Sequence, residues 1–332
     1  MKNTLQSMAF LICLLIVGFV RAQSSTPVRA QREGVLLLAH GGSAQEWNEE
    51  VRHVADQVDL TIPTEVAFGM ATKSTIQAGI NRLVARGVTE IVVVPLFVSS
   101  HSSVIDSTAY LLGLRAQEPE ELKMFATMDH GGGMIMSGGG MIMSGSAMQH
   151  DPAATAEAEK PISSSVPIRM ASALDHHRIV ADILRDRAAS ISHNPAREVV
   201  ILIAHGPVPE DENKLWLHDM NTLAEQMQQQ THYAGIECLT LRDDADEPVR
   251  DAATKQLREK VEQVTKAGNT ALIVPLLLSY GGIEDGLRKR LSGLTYSMPS
   301  QALLPDTRIV GWALEAARSN VTASDTAAAL KK

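Results

Sequence analysis

Continuous apolar runs alternate with amphipathic stretches along most of the chain. The apolar runs, which we predict to be strands, are 35–39, 65–70, 90–98, 199–204, 236–241 and 270–278. The amphipathic stretches, which we predict to be helices, are 45–58, 74–86, 104–116, 211–230, 248–267, 284–291 and 306–318. Strands rich in Val, Ile and Leu, separated by amphipathic helices, are typical of a parallel sheet covered on both faces. The pattern predicts an α/β fold with two similar halves, each a parallel sheet flanked by helices. A short apolar run at 122–127 (LKMFAT) reads as one more strand.

Both halves carry the same histidine motif. GVLLLAHGG, from Gly34, and VVILIAHGP, from Val199, each close an apolar run with Ala-His-Gly, and an Asn follows each His by eight residues. His40 and His205 therefore stand at the C-terminal end of the first predicted strand of each half. That end of the strands faces the usual ligand crevice of an open α/β sheet. An internal repeat of this length predicts a tandem architecture.

A third histidine belongs to the same predicted crevice. His101 lies in a Ser-rich loop directly after the third strand of the first half. In a flavodoxin-like strand order, strands one and three are neighbours, so His40 and His101 would converge. Two imidazoles in one crevice suit a divalent metal ion or proton transfer. The alternative is that they are unrelated loop histidines that cap helix N-termini.

Composition excludes several other classes of function. The net charge is -8, without a basic stripe, which argues against nucleic acid as a partner. The chain has no Gly-x-Gly-x-x-Gly after a strand, no phosphate-binding loop and no Gly-x-Ser-x-Gly elbow. Trp47 and Trp216 fit packing within their helices better than stacking on a substrate.

The first 22 residues read as an export signal. Lys2 precedes the apolar core 8–20, and Val20-Arg21-Ala22 is an acceptable cleavage site. We therefore expect an exported, periplasmic protein, with membrane contact only through an uncleaved signal segment.

A Gly-, Met- and His-rich segment separates the halves. GGGMIMS occurs twice in succession, at 131–137 and 138–144. This composition predicts a disordered insertion over 129–165. Its thioethers and imidazoles suit an auxiliary metal-gathering role, and a low-complexity expansion without a role is the alternative. The residues concerned are His130, Met134, Met136, Met141, Met143 and His150.

These motifs together resemble one family. LLLAHGG at the end of the first strand, an Asn on the next helix and VVVPLFVSSH after the third strand resemble the class II chelatases, the sirohydrochlorin cobaltochelatase family in its tandem, two-half form. The resemblance covers about 34–125 and 166–318. It implies ATP-independent insertion of a divalent metal ion into a sirohydrochlorin-type tetrapyrrole, and hence a metal-chelatase lyase. The metal is a substrate, Co²⁺ first and Ni²⁺ or Fe²⁺ as alternatives, and no organic cofactor is expected.

The resemblance also assigns roles to residues. His40 and His101 would hold the incoming metal and accept the pyrrole protons. The second half has no His at the position of His101, so His205 and Glu284 are expected only as second-half contributors. The predicted organisation is a signal peptide at 1–22, a first chelatase-like half at 34–128, the insertion at 129–165, a connecting helix region that completes the first half at 166–195, a second half at 196–318 and a tail at 319–332.

Two alternatives to a working chelatase stay open. An exported metal carrier would keep the fold and the histidines without turnover, and export favours it because tetrapyrrole synthesis is usually cytoplasmic. A tetrapyrrole-binding protein without chelatase activity is the second.

Overall fold

The Val, Ile and Leu runs form the strands of two parallel sheets in the computed structural model, which describes residues 32–129, 135–137, 140–142 and 152–319. The strands are β1 (Glu33–Ala39), β2 (Thr64–Phe68), β3 (Glu90–Pro95), β4 (Ile135–Ser137), β5 (Gly140–Ile142), β6 (Ile168–Met170), β7 (Glu198–Ala204), β8 (Gly235–Thr240) and β9 (Thr270–Leu276). One parallel sheet has the order β2–β1–β3–β6 and the other the order β8–β7–β9. The fold class and the flavodoxin-like neighbourhood of strands one and three are confirmed.

Helices cover both faces of these sheets. They are α1 (Gln45–Asp59), α2 (Lys73–Ala85), α3 (Ser103–Leu111), α4 (Leu122–Asp129), α5 (Pro152–Ala158), α6 (Arg178–Ala189), α7 (Glu210–Gln228), α8 (Glu247–Lys266), α9 (Ile283–Arg290) and α10 (Arg308–Arg318). Helix α1 illustrates the pattern, because Val51, Val54, Ala55 and Val58 are buried at helical spacing. Within the described ranges, none of the helices combines the length and apolar character needed to cross a bilayer.

The two halves share one core. Helix α10, at the end of the second half, packs against α1 and β3 of the first. Helix α6, which follows the first sheet, packs against α7 and β9 of the second. Each half therefore covers its partner's sheet with its last helix, and a single buried cluster contains Val35 and Val94 together with Leu202 and Leu272.

The predicted strand at 122–127 is wrong, because these residues begin helix α4. Leu122, Phe125 and Ala126 are all fully or almost fully buried, at spacings of three and one. That spacing places the three side chains on one helical face, whereas a strand would send neighbouring side chains to opposite faces. A short apolar run is compatible with both a helix and a strand, so the sequence alone does not distinguish the two.

The predicted disorder over 129–165 is wrong for its C-terminal part. Residues 152–158 form α5, in which Thr155 and Ala158 are buried one helical turn apart. Lys73 Nζ lies 3.0 Å from Glu157 Oε1, and the Ile162 amide donates to the Leu111 carbonyl over 2.7 Å. This segment therefore packs on the first half. Strands β4 and β5 pair with each other in an antiparallel ladder.

Several predictions fall outside the described residues. They include the signal peptide at 1–22 and residues 320–332 of the predicted tail. Of the auxiliary metal-gathering residues, His130, Met134, Met143 and His150 lie outside, and Met136 and Met141 are described only as strand positions in β4 and β5.

Candidate functional site

The loop after β1 is held in place by a side chain of the following helix. Gly41 has a φ of 82°, a conformation that side chains disfavour, and turns the chain away from the strand. Asn48 on α1 then binds Gly42 at both backbone atoms. Its Nδ2 donates to the Gly42 carbonyl over 2.7 Å, and its Oδ1 accepts from the Gly42 amide over 3.1 Å. The repeated Asn of the sequence thus fixes the loop that carries His40.

A backbone hydrogen bond determines the tautomer of His40. Its Nδ1 lies 2.7 Å from the Gly41 carbonyl, which can only accept, so Nδ1 carries the proton. The neutral ring then has its lone pair on Nε2, the usual arrangement for a metal ligand oriented by a backbone carbonyl. Burial lowers the pKa of His40 below its usual value, against the raising effect of the Gly41 hydrogen bond, and the nearby His205 lowers it further. His40 is therefore a neutral imidazole near pH 7.

The second half supplies the other polar groups of the site. His205 follows β7, and Asp244 follows the neighbouring strand β8. His205 Nε2 lies 3.4 Å from Asp244 Oδ2. Arg242, two residues before Asp244, has a φ of 56° and donates to the Val208 carbonyl over 2.6 Å. These contacts tie the loops after β7 and β8 together and aim Asp244 at His205.

His40, His205 and Asp244 line one cleft between the C-terminal ends of the two sheets. The cleft has a volume of about 190 Å³. Its remaining lining residues are Gly41, Gly42, Ser43, Trp47, Leu96, Phe97, Val98, Trp216, Leu276, Leu277, Leu278, Ser279, Gly281 and Ile283. The polar groups are thus few and are surrounded by apolar walls, which is typical of a ligand site.

The arrangement is not a closed metal cage. Among the described residues, no group of three or more His, Cys, Asp or Glu side chains is arranged to hold a metal ion. Two imidazoles with one adjacent carboxylate supply at most three donors, so a divalent ion that takes four or more ligands would keep an open position. Open positions are characteristic of sites where a metal reacts, in contrast to structural sites, which are closed.

The structure places His101 in a different cluster. His101 is absent from the lining of the cleft, and its Nε2 lies 3.7 Å from Oδ2 of Asp219, a buried residue of α7. Asp219 Oδ1 also lies 2.8 Å from Nδ1 of His176. The Trp216 indole donates to the His101 carbonyl over 2.6 Å. The structure thus places His40 in the cleft with His205, and places His101 beside Asp219 and His176.

Glu284 has a local role within the second half. Its Oε2 accepts the amides of Gly281 and Gly282 over 3.1 Å and 3.0 Å, at the start of α9. This carboxylate is 9% exposed, and its hydrogen bonds are made to backbone amides. The carboxylate that reaches the cleft from the second half is Asp244, which the sequence reasoning missed.

Other residues agree with their sequence interpretations in part. His53 and His218 are exposed on their helices. Cys238 lies in β8, and burial raises the pKa of its thiol to about 12, which disfavours the thiolate needed for metal binding. The packing interpretation of Trp47 and Trp216 is incomplete, because both side chains also line the cleft.

Comparison with known proteins identifies the fold. The model of the CbiX family matches residues 34–191. Residues 34–191 of this chain are therefore similar to the CbiX family. A search of curated protein sequences finds no match to the chain.

Two structures resemble the CbiX-type fold over both halves of the chain. SirB from Bacillus subtilis with Fe³⁺ is 17% identical, with a TM-score of 0.55, and the match covers 87% of this chain and 95% of that one. The sirohydrochlorin chelatase SirB from Bacillus subtilis subspecies spizizenii in complex with cobalt is 15% identical, with a TM-score of 0.51, over 87% of this chain and 94% of that one. The chain therefore shares its fold with these two structures.

Proposed function

We propose that the protein inserts a divalent metal ion, Co²⁺ in the first place, into a sirohydrochlorin-type tetrapyrrole without ATP. The observation that carries the proposal is the pair of imidazoles, His40 and His205, in a mostly apolar cleft of a CbiX-family fold. Metal insertion needs ligands that hold an ion weakly, a proton acceptor and an apolar surface against which part of the planar ring can lie. The imidazoles and the apolar walls of the cleft suit these three tasks.

His40 is the residue that receives the ion. Its Nδ1–H is committed to the Gly41 carbonyl, so Nε2 offers its lone pair. Its lowered pKa keeps that lone pair available near neutral pH. Imidazole suits Co²⁺, Ni²⁺ and Fe²⁺ alike, so this ligand alone does not select among them.

His205 and Asp244 receive the protons that metallation displaces. When the ion forms four bonds to the ring nitrogens, the macrocycle loses two N–H protons. These two protons and the water molecules bound to the ion must leave the site. An imidazole is a good acceptor near pH 7, and an adjacent carboxylate stabilises the imidazolium that forms. The 3.4 Å separation between His205 Nε2 and Asp244 Oδ2 fits this task.

The proposal includes a preference for Co²⁺ and a cellular location. One structure with this fold is a sirohydrochlorin chelatase in complex with cobalt, and another is SirB with Fe³⁺. We further propose that the protein acts in the periplasm, on the strength of Lys2 and the apolar segment 8–20.

The test is metal insertion by the purified protein that starts at residue 23. Sirohydrochlorin and Co²⁺ are mixed with the protein, and the absorbance change of the macrocycle is followed against the uncatalysed reaction, with Ni²⁺ and Fe²⁺ in parallel. His40→Ala should reduce the rate by about 100-fold, the effect of losing a positioned acid–base group. His53→Ala is the matched control, because His53 is exposed on α1.

Two results would contradict the proposal. Co²⁺ binding that requires His40, without acceleration of insertion, would identify a metal carrier. Binding of sirohydrochlorin without metal insertion would identify a tetrapyrrole-binding protein.

A further inference from the structure

Apolar side chains from both halves form the walls of the cleft around the two imidazoles. Leu96, Phe97 and Val98 come from the loop after β3, and Leu276, Leu277 and Leu278 come from the end of β9 and its loop. Two of the three tryptophans of the chain also line the cleft, one from α1 and one from α7. The third, Trp312, is buried in the core on α10.

Trp47 lies between two glycine loops of the cleft. A Cβ atom at Gly42 would lie 3.2 Å from Trp47 Cγ, and one at Gly281 would lie 3.2 Å from Trp47 Cδ1. Both distances are tight, so the indole occupies the space that side chains at these positions would need. Gly42 follows His40, and Gly281 follows the end of β9. The indole is thus held against backbone from both halves and remains only half-buried.

Trp216 is held by its polar edge. Its Nε1 donates to the His101 carbonyl over 2.6 Å, so the one polar group of the indole is satisfied by protein. The side chain is half-buried and lines the same cleft as Trp47. Because the indole nitrogen is already hydrogen-bonded to the protein, only the carbon atoms of the Trp216 ring can contact a ligand. The same hydrogen bond fixes the orientation of the ring before the ligand binds.

We propose that Trp47 and Trp216 are the stacking surfaces for the planar ring of the tetrapyrrole, and that they hold the ring nitrogens near His40 and His205. This inference rests on the proposed function and assigns its substrate-binding residues. Aromatic rings favour offset-stacked or edge-to-face contact with other π systems. The cleft, at about 190 Å³, is smaller than the roughly 300 Å³ at which pockets begin to enclose a whole ligand. Part of the macrocycle, with its carboxylate arms, would therefore stay in solvent.

The direct test uses fluorine resonances of the tryptophans. The protein is produced with 5-fluorotryptophan, which gives one ¹⁹F resonance per tryptophan, and the resonances are assigned with Trp47→Phe, Trp216→Phe and Trp312→Phe. Titration with metal-free sirohydrochlorin should shift the resonances of Trp47 and Trp216, because the ring current of a stacked macrocycle acts over short distances. The resonance of Trp312 should stay in place.

Leucine variants measure the energetic consequence. Trp47→Leu and Trp216→Leu remove the aromatic face and keep much of the apolar volume, so each should raise the Kd for sirohydrochlorin by about 10-fold, near the upper end for aromatic pairs. The KM should rise with the Kd while kcat changes by less than about twofold. The phenylalanine variants should retain most of the affinity. Trp312→Phe is the control for loss of an indole outside the cleft, and the Kd for Co²⁺ alone should be unchanged in every variant.

The outcomes separate this inference from the proposed function. If sirohydrochlorin binds and is metallated while the ¹⁹F resonances of Trp47 and Trp216 do not move, the stacking assignment is overturned and the chelatase proposal stands. Unchanged Kd values in both leucine variants would overturn it in the same way. If the wild-type protein neither binds nor metallates sirohydrochlorin, the proposed function itself fails.

Discussion

The carbonyl of Gly41 and the carboxylate of Asp244 give the two cleft histidines different chemical environments. His40 Nδ1 donates to the Gly41 carbonyl 2.7 Å away, so Nε2 offers its lone pair, and burial keeps this ring neutral by lowering its pKa. His205 Nε2 instead lies 3.4 Å from the Asp244 carboxylate, so its ring faces a carboxylate in place of a backbone carbonyl. Residues of one type, at equivalent positions of a repeat, are thereby suited to different steps of metal insertion.

Asp244→Asn tests this division of roles. The variant removes the negative charge and keeps the shape of the side chain, so His205 loses the partner that stabilises its imidazolium. We expect the rate of Co²⁺ insertion to fall by about 10- to 100-fold, the usual cost of removing a carboxylate that supports a site histidine. The rate is measured from the absorbance of the macrocycle at saturating Co²⁺. Asp246→Asn, at an exposed position nearby, should leave it unchanged. Equal rates for the two variants would exclude a role for Asp244.

Sequence reasoning brings His40 and His205 to the crevice, misses Asp244, and does not identify the residues that surround His101. His205 and Asp244 follow neighbouring parallel strands, so their meeting follows from the strand order that the apolar runs predict. The position of His101 depends on Asp219 and Trp216, which belong to a helix of the other half. Contacts between halves leave no local pattern in the sequence, and the structure alone reveals that His101 turns towards α7.

Helix α7 joins the two halves through several polar contacts. Trp216 and Asp219, one turn apart on α7, hold the loop that contains His101, and Asp219 also binds His176. In its first turn, Glu212 accepts a hydrogen bond from the Ser103 amide at the start of α3. Burial first, and then the carboxylates of Asp106, Glu121 and Asp211, raise the pKa of Glu212 to about 7. An acid therefore sits at an interface between helices where its charge is unfavourable.

Glu212→Gln should change the pH dependence of stability. With a folded pKa of about 7 and an ordinary value of 4.5, folded Glu212 binds its proton more tightly than the unfolded chain between these pH values. Its contribution to stability is present below pH 4.5 and is lost as the pH rises to about 7. The glutamine variant should therefore be more stable than the wild type at pH 8, by about 1 to 2 kcal/mol because solvent screens this partly exposed group, and should lack that advantage at pH 4.5.

Urea unfolding at several pH values measures this difference. Glu225→Gln, at an exposed position of the same helix, is the matched control and should give the wild-type pH profile. A Glu212→Gln profile that runs parallel to the wild type would show that Glu212 carries no strained charge in the folded protein.

Whole elements differ in how well their sequences determine them. Long apolar runs give six of the seven strands of the two parallel sheets, because few residues suit a strand buried on both faces. The short strand β6 has no such run and is not predicted from the sequence. The LKMFAT run begins α4, because its buried residues lie on one face of a helix. The length of the run is compatible with a helix as well as with a strand. Helix α5 was hidden by composition, because Ala and Glu are good helix formers that also dominate unstructured segments.

At the scale of the whole molecule, the two halves form a single compact unit. The described residues from Arg32 onward belong to one compact unit, in which α6 and α10 each cover the sheet of the other half. The guanidinium of Arg169, in β6 of the first half, donates to the carbonyl of Ser319 over 2.8 Å. Ser319 follows α10, the last helix of the second half. Neither half thus has a complete core by itself, and the cleft between them is a product of the shared packing.

Two deletions test which part of the region between the halves belongs to this unit. Removal of 130–151, with a short Gly-Ser linker, should change the melting temperature by less than about 2 °C, because its Gly-rich composition lacks apolar periodicity. Removal of 130–165 also takes α5, with buried Ala158, and Ile162, whose amide binds the Leu111 carbonyl. Loss of that burial, on the order of 2 kcal/mol, should lower the melting temperature by roughly 4 to 8 °C. Thermal unfolding followed by circular dichroism compares both with the intact protein. Equal melting temperatures for the two deletions would show that 152–165 contributes nothing to the core, and a large loss from the shorter deletion would show that the Gly- and Met-rich repeat is part of the fold.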